Sequence, residues 1–540
     1  MLRISSFASR LLRQVWQAGL VSMPAFSSAA CASSPGSEPE RDQISTTAQG
    51  VTTPDPIGVC NQDPRVNLNL VPLSVCAGAR VFFDETFAGN GRSCGTCHPA
   101  ANNFTVEPAF IASLPATDPI FVAENPAFNL APLETPDLRG AGLIKENVDG
   151  FEDIEHKFVE RSVSHMLSLS LTIARDPADG TSAAVVQRTG WGGDGAPGDG
   201  SLRAFIDGAI KQHYPKDLSR TPGTSFRFST EQEKDQLLAF QLALGRTNEL
   251  DLNQVTLTDS IAAAGKAAFM DPFEGRCNEC HSNAGATALL SHKNRNFNTG
   301  TIKIPAAFSR LADGRFVFDG GFGGQGLAEP NLNTGVTGQP DAFGDGTFSP
   351  PPLVEAADTG PFFHTNNFGG SGADPTAGIE GAVAFYGSNF FLSSPAALEL
   401  DARFGAPLNV NPFIGQIGRF LRVLNASFNL AIAQQRLEAS FTLNVAFWGY
   451  RDDIQRGLLR LASEEIDDAI RVLQNGGDDL HPNERASLGS ARALLAQAIA
   501  ASDPAVRRDR TTSAKALVVS AKAAFGTNMN FQLGTGNLMF

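Results

Sequence analysis

Apolar residues recur every three or four positions through the last part of the chain, from residue 413 onward. This spacing puts them on one face of an α-helix and predicts a series of amphipathic helices. Pro482 stands where one helix would begin, and Gly526 stands where another would end. The pattern consists of Ile414, Ile417, Leu421, Leu424, Phe428 and Ile432, of Ile466, Ala469, Ile470 and Leu473, and of Leu488, Ala491, Leu494, Leu495 and Ala498. Residues 413–540 are therefore predicted to form a helical C-terminal extension that packs against the rest of the protein.

Two shorter apolar segments earlier in the chain have the length and composition of helices. They are Cys76–Phe83 and Ala262–Phe269. The stretches 103–136 and 312–352 are rich in Gly and Pro and predict loops that wrap the folded units. Alternating patterns typical of strands are few. The sequence therefore predicts a mainly α fold in which helices are joined by long irregular segments.

The first 32 residues have the pattern of a secretory signal peptide. They carry three arginines, then a weakly apolar run, then the small-residue segment SSAACASS, which contains a cleavage site near 30–32. Cys31 in this segment also allows a lipoprotein anchor, and an uncleaved amphipathic or disordered start is a further alternative. We therefore expect an exported or periplasmic protein.

Residues 33–56 are rich in Ser, Thr, Pro and charge and predict a linker, so the folded part should start near Ile57. No later segment approaches about 18 uninterrupted apolar residues, so no transmembrane segment is expected. A chain of 540 residues is long enough for two or three compact units. Its 42 basic and 56 acidic residues give a net charge of -14, which argues against nucleic-acid binding and favours a basic protein partner.

Four of the seven cysteines lie in two Cys-x-x-Cys-His motifs, at Cys94, Cys97 and His98 and at Cys277, Cys280 and His281. Two thiols at this spacing can add to the two vinyl groups of one haem, and the histidine that follows then ligates the iron. The other cysteines are too few and too distant for a zinc site, and the strand-turn-helix setting of a thioredoxin-like pair is missing. The motifs therefore predict two covalently bound haem c groups.

Cys60 and Cys76 remain once the motifs and Cys31 are set aside. In an oxidising compartment these two suit one disulfide, which would close a loop of about 15 residues and stabilise the fold by about 3 kcal/mol. Two buried free thiols are the alternative.

The two motifs lie 183 residues apart (277 − 94), and the sequence after them repeats. In both halves the motif is followed by a Thr-Gly-aromatic turn, a loop rich in Gly or Asn, and a helix. These features stand in RTGWGGDGAPGDGSLRAFIDGAIKQHY in the first half, and in ADTGPFFHTNNF and AGIEGAVAFYG in the second. The repeat predicts two cytochrome c-like haem domains in tandem, at 57–250 and 251–412.

Several segments of the chain follow one another in an order that resembles one known family. In the second half they are CNECHS, NRNFNTGT, PPPLVEAADTGPFFHTNNF and AVAFYG, and in the first half TGWGGDG. Over residues 75–412 the chain resembles the bacterial di-haem cytochrome c peroxidase superfamily, with MauG and the rubber oxygenases as relatives. The resemblance implies two inequivalent haems, one that receives electrons and one that does chemistry. It also implies that Trp191 relays electrons between them, with an ordinary core tryptophan as the alternative.

The resemblance also bears on the sixth ligand of the second haem. Tyr386 in AVAFYG is the first candidate, because MauG uses a tyrosine there, and a phenolate would stabilise ferric iron. His364 in PFFHTNNF is the rival, since rubber oxygenases use a second histidine on that haem. Met529, Met539 or no ligand complete the alternatives.

The first haem departs from the family pattern on its distal side. Peroxidases place a Gln and a Glu there, because O–O cleavage needs acid–base help. The helix SLRAFIDGAIKQHY instead presents Phe205 and Ala209, which weakens the case for efficient peroxidase activity and favours dioxygen or an apolar substrate, as in the rubber oxygenases. His156 is the first candidate for restoring acid–base chemistry, ahead of Glu152, Glu155 and His165. The alternative is that His156 is an ordinary surface histidine.

Three functions are consistent with these features. The first is a peroxidase-like oxidoreductase, in which the second haem takes electrons from a small donor protein, a cytochrome c or a cupredoxin, and the first haem reduces hydrogen peroxide. The second is a dioxygenase that binds dioxygen beside Phe205 and cleaves an apolar substrate. The third is a non-catalytic periplasmic electron carrier. The resemblance also implies a Ca²⁺ ion between the domains and is compatible with a homodimer.

Overall fold

Helices dominate the computed structural model of this chain, in agreement with the predicted mainly α class. The structure describes residues 55–147, 158–176, 185–195, 199–304, 309–312, 314, 317, 319–322, 344–368, 378–445, 452–474 and 479–540. These residues belong to one compact unit, which spans 52–540. The domain boundaries at 250 and 412 stay predictions, as does the signal peptide, which lies outside the described residues.

The helices are short in the first half of the chain and longest at its end. The first half contains α1 (Pro56–Cys60), α2 (Pro64–Asn67), α3 (Leu73–Asp84), α4 (Cys94–Cys97), α5 (Pro108–Ser113), α6 (Pro136–Gly140), α7 (Leu169–Thr172), α8 (Leu202–His213) and α9 (Glu231–Gln241). The second half contains α10 (Ser260–Met270), α11 (Cys277–Cys280), α12 (Ile379–Phe385), α13 (Asn389–Leu392) and α14 (Pro395–Phe404). The last helices are α15 (Ile414–Val445), α16 (Asp452–Gln474), α17 (Pro482–Ala500) and α18 (Pro504–Phe525).

Short 3₁₀ turns and two small sheets connect these helices. The 3₁₀ turns are Ala100–Asn102, Pro119–Glu124, Ser282–Ala284, Thr301–Lys303, Ala356–Asp358, Asn411–Phe413 and Thr535–Leu538. Strand β1 (Leu143–Glu146) pairs antiparallel with β2 (Val159–Ser162), with Leu143 opposite Ser162. Strand β3 (Thr256–Leu257) pairs antiparallel with β4 (Gly526–Thr527), which ties the end of the chain to the start of its second half.

The predicted C-terminal helices are confirmed as α15 to α18. α17 begins at Pro482, and α18 ends at Phe525 immediately before Gly526, as predicted. Most of the periodic apolar positions are buried, since the helices pack their apolar faces on one another. The buried ones are Ile417, Leu421, Leu424, Phe428, Ile432, Ile466, Ala469, Leu473, Leu488, Ala491, Leu495 and Ala498.

The two helices predicted ahead of the Cys motifs are also confirmed, as α3 and α10, and both cross another helix at a glycine. A Cβ added at Gly78 on α3 would clash with the backbone carbonyl of Gln236 on α9. A Cβ added at Gly265 on α10 would clash in the same way with Gln416 on α15. Each motif therefore follows a helix that packs closely on another helix at a glycine. Before the first motif α3 packs on α9, and before the second motif α10 packs on α15.

The stretch 103–136, predicted as loop, contains helical turns. α5 and the 3₁₀ turn Pro119–Glu124 each begin with a proline that follows an acidic cap, Glu107 or Asp118, whose carboxylate accepts backbone N–H groups. Proline suits the first helical position because the N–H it lacks has no partner there anyway. The high Pro content that predicted loops thus marks helix starts instead.

The predicted disulfide between Cys60 and Cys76 is confirmed. The two cysteines are 16 residues apart, and their bond links α1 to α3. Across the described residues no helix is long and apolar enough to cross a membrane.

Candidate functional site

The first Cys motif forms a single helical turn that ends at its histidine. Ser93 and Thr96 form a capping box that starts α4, and His98 ends it at φ −120° and ψ 62°. His98 Nδ1 lies 2.8 Å from the carbonyl oxygen of Phe104. A hydrogen bond from Nδ1–H to this carbonyl leaves Nε2 as the ring nitrogen that can ligate a metal.

The second Cys motif has the same local geometry. His281 ends α11 at φ −123° and ψ 60°, within a few degrees of His98. Its Nδ1 lies 3.1 Å from the carbonyl oxygen of Pro351 and 3.2 Å from that of Gly285. Nε2 is again the nitrogen left for a metal, so the two histidines are presented in the same way.

Burial sets the protonation states expected of a haem-attachment site. It lowers the pKa of His98 and of His281 to about 4, so both imidazoles are neutral at physiological pH, as a metal ligand must be. All four motif cysteines are free thiols, and burial raises their pKa values, to about 11 for Cys94 and about 12 for the other three. The Tyr214 hydroxyl donates a hydrogen bond of 3.0 Å to Cys94 Sγ and fixes the position of that thiol.

Each motif opens onto a large cavity. The space beside Cys94, Cys97 and His98 is about 1120 Å³, and the space beside the second motif is about 1470 Å³, counting their open mouths. Two unbridged thiols, a neutral imidazole and an adjoining cavity fit a haem c group at each motif.

Trp191 lies in the wall that the two cavities share. Residues 162–165 line both cavities with it. The indole Nε1–H donates a hydrogen bond of 3.0 Å to the carbonyl of Ser162, which holds the ring in place. The turn around Trp191 depends on Gly190 and Gly193, which have positive φ values of 75° and 68°. Trp191 thus separates the two candidate haem sites, where an electron relay would have to lie.

His364 lines the second cavity on the side of Trp191. Its ring stacks on Phe348 with 3.8 Å between the ring centroids, and it lies 6.5 Å from the Trp191 ring. Burial lowers the pKa of His364 to about 4, although the Asp319 carboxylate opposes the shift. The backbone N–H of Ser162 donates to the His364 carbonyl at 2.6 Å, so one residue of β2 is bonded to both Trp191 and His364.

Tyr386 lines the same cavity from the end of α12. Burial raises its pKa above the usual range, and the neighbouring thiols of Cys280 and Cys277 add to this effect. Its ring packs at 4.8 Å from that of Phe391. The structure therefore brings both candidate sixth ligands, Tyr386 and His364, to one cavity, whereas the lining of that cavity does not include Met529 or Met539.

The first cavity is lined by polar as well as apolar residues. Phe205 and Ala209 line it from α8, as the sequence predicts. His213, one turn further along the same helix, lines it too, together with Glu146 from β1. His213 and Glu146 are not among the site residues predicted from the sequence. The spacing 205, 209, 213 was the available signal.

The remaining predicted acid–base candidates are divided between two places. His165 lies in the shared wall and lines both cavities. His156, Glu152 and Glu155 lie outside the described residues. Across the described part of the chain, no group of three or more His, Cys, Asp or Glu side chains is arranged to hold a metal ion, so the structure assigns no Ca²⁺ ligands.

Comparisons with known proteins add no relative. The chain matches no protein-family model, no curated protein and no solved structure.

Proposed function

We propose that this chain is a di-haem c-type cytochrome oxidoreductase that reduces hydrogen peroxide at its first haem. The observation that supports it is the pairing of two alike sites, each with two free thiols and a neutral imidazole beside a large cavity, on either side of Trp191. One haem would be attached at Cys94, Cys97 and His98, and the other at Cys277, Cys280 and His281. The bound haems would supply reversible one-electron exchange and, at the first site, an iron with a free coordination position.

The other residues that line each cavity support different roles for the two sites. The second cavity offers His364 and Tyr386, each able to complete the coordination of an iron. The first cavity offers Phe205 and Ala209, which cannot ligate iron, and we propose that the histidines lining it outside the Cys motif, His213 among them, do not bind the iron. A six-coordinate haem exchanges electrons, whereas a haem with a free position can bind peroxide. We therefore assign electron entry to the second site and chemistry to the first.

Polar groups in the first cavity favour peroxide over the alternatives. Glu146, Arg161 and His213 line it beside the apolar residues, and O–O cleavage needs such proton donors and acceptors. The apolar pair Phe205 and Ala209 supports the dioxygenase as the second candidate function.

Exposed apolar side chains around the second motif support docking of a donor protein there. Phe273, Leu290 and Leu398 are 64%, 75% and 58% exposed. Phe273 lies four residues before Cys277, and Leu398 lies on α14, whose Arg403 pairs with Glu279 inside the second motif. We propose that a small cytochrome c or cupredoxin docks on this surface, in an exported compartment where the Cys60–Cys76 disulfide would persist.

The test is to produce the chain in a host that attaches haem c and to measure covalent haem and peroxide turnover. We expect two haems per chain that survive denaturation, and peroxide reduction that depends on a reduced donor protein. A chain without covalent haem would overturn the proposal. Two covalent haems with no peroxide turnover would support the di-haem cytochrome and refute the peroxidase activity.

A further inference from the structure

One face of α8 lines the first cavity from the wall shared with the second cavity to the side where Cys94 lies. Phe205, Ala209 and His213 follow one another at four-residue intervals and all line the cavity. Phe205 packs beside Gly190 in the tryptophan turn. At the other end of α8, the Tyr214 hydroxyl is bonded to Cys94 Sγ. His213 therefore enters the cavity near the thiols, and the small Ala209 leaves space between it and Phe205.

A carboxylate from another part of the chain meets His213. Glu146 ends β1, and its Oε1 lies 3.6 Å from His213 Nε2. The side chains are only 12% and 10% exposed. Arg161 on β2 lies 3.5 Å from the other oxygen of Glu146 and is itself paired with Asp319 at 2.8 Å. Glu146 is thus held between a histidine and an arginine.

The electrostatics keep this carboxylate ionised. Burial would raise the pKa of Glu146, but the close approach of His213 and the charge of Arg161 outweigh burial and lower it. His213 Nδ1 is buried and has no hydrogen-bond partner among the described residues. The other charged or titratable groups that interact with His213 are Glu134 and His98. One ring nitrogen is therefore oriented by a carboxylate, and the other is left to exchange a proton.

We propose that His213 and Glu146 form the acid–base pair of the first cavity. His213 accepts a proton from one oxygen of hydrogen peroxide and returns it to the other oxygen as the O–O bond breaks, while Glu146 stabilises the protonated ring. One peroxide, two electrons from the reduced donor protein and two protons from solvent give two waters. The inference rests on the proposed function, because it assumes that peroxide reacts at the first haem.

His165 is the rival for this role and provides the matched control. It also lines the first cavity, and its Nδ1 is also buried without a hydrogen-bond partner. Among the described residues, however, no carboxylate lies within salt-bridge distance of it, and burial lowers its pKa although the Glu355 carboxylate opposes the shift. A buried histidine without such a partner is a poor proton acceptor.

The test compares His213→Gln, Glu146→Gln and His165→Gln in the haem-loaded protein. The first readout is the rate constant for the reaction of peroxide with the first haem, followed optically. The second is the equilibrium affinity for fluoride, an anion whose binding to ferric haem takes up a proton. We expect His213→Gln to slow the peroxide reaction by about 10²–10⁴-fold and to weaken fluoride binding. Glu146→Gln should have the same two effects to a smaller extent. His165→Gln should change neither the rate constant nor the fluoride affinity.

The outcomes separate this inference from the proposed function. If the parent protein neither reacts with peroxide nor binds fluoride, both fall. If the parent protein reacts with peroxide and His213→Gln reacts equally fast, only the proposed acid–base pair is refuted. The same holds if His165→Gln, and not His213→Gln, slows the reaction. Should His213→Gln fail to incorporate haem, Glu146→Gln, which preserves the shape of the side chain, decides by the same two readouts.

Discussion

The two Cys motifs of this chain are alike on the side of the histidine and different on the opposite side. His98 and His281 end equivalent helical turns with nearly equal backbone angles, and both donate Nδ1–H to backbone carbonyls. The other residues that line the cavities differ: the second cavity includes Tyr386 and His364, whereas the first includes Phe205 and His213. The geometry of each histidine is thus set within a few residues of its motif, whereas the lining of each cavity comes from distant segments.

The two histidines also differ in what supports them from behind. Phe104, whose carbonyl accepts the His98 hydrogen bond, packs in a cluster of aromatic rings that includes Phe240 and Phe540. Phe540 follows the last helices and lies 4.9 Å from the Phe104 ring. The carbonyls that accept from His281 belong to Gly285 and Pro351, which are not aromatic and so cannot join a cluster of this kind. The C-terminal region thus supports the first site directly.

Removal of one pair of thiols should have the largest effect. We expect Cys94→Ser/Cys97→Ser to lose one of two covalent haems together with the reaction with peroxide, because the chemistry is assigned to the first site. Cys277→Ser/Cys280→Ser should lose the other haem and retain a peroxide-reactive spectrum. Covalent haem content and optical titration measure both. Equal loss of peroxide reactivity in the two variants, each with one haem, contradicts the assignment of roles.

Replacement of the sixth ligand of the second haem should change its spin state. We expect Tyr386→Phe to convert that haem from low spin to high spin and to raise its reduction potential, because a phenolate stabilises ferric iron. His364→Gln is the matched variant, since both side chains line one cavity. Electron paramagnetic resonance distinguishes the two variants. If the spin state changes only in the His364 variant, His364 and not Tyr386 is the sixth ligand.

The two helix crossings should respond equally to an added methyl group. Gly78→Ala and Gly265→Ala each force a Cβ against a backbone carbonyl, so we expect each to destabilise the fold by about 1–3 kcal/mol. Gly415→Ala is the control on α15, because its Cβ would meet no atom within 4 Å, and it should be neutral or stabilising by up to about 1 kcal/mol. Denaturant unfolding measures all three. A harmless Gly265→Ala would refute the equivalence of the crossings.

Truncation of Phe540 should perturb the first site and leave the second site unchanged. We expect Phe540→Ala to cost about 1–3 kcal/mol of stability, since it leaves a cavity against Phe104, and to perturb only the first haem's spectrum. Phe273→Ala, at a side chain 64% exposed, should change stability by less than about 0.5 kcal/mol. An unchanged first haem in the Phe540 variant would remove the supporting role of the C-terminal region.

Local features of the sequence predicted much of this architecture. The helices at the chain's end follow from apolar periodicity, and Pro482 marked a helix start correctly. The disulfide followed from the count of cysteines. The Pro-rich stretch 103–136 was misjudged because its prolines stand after acidic caps, where they begin helical turns rather than prevent them.

Contacts between distant segments could not be predicted in this way. Glu146 and His213 are 67 residues apart (213 − 146), and only the pairing of β1 with β2 and the packing of α8 bring them together. The crossing of α10 with α15 likewise joins regions that the sequence pattern separated. The domain boundaries, the sixth ligand and the relay role of Trp191 stay predictions.

The most direct test of the account is the electron paramagnetic resonance spectrum of the fully haem-loaded ferric protein, before and after the addition of peroxide. We expect one high-spin haem that peroxide converts and one low-spin haem that peroxide leaves unchanged, with the high-spin signal absent from Cys94→Ser/Cys97→Ser. Two low-spin haems that are both indifferent to peroxide would rule out the peroxidase and leave an electron carrier.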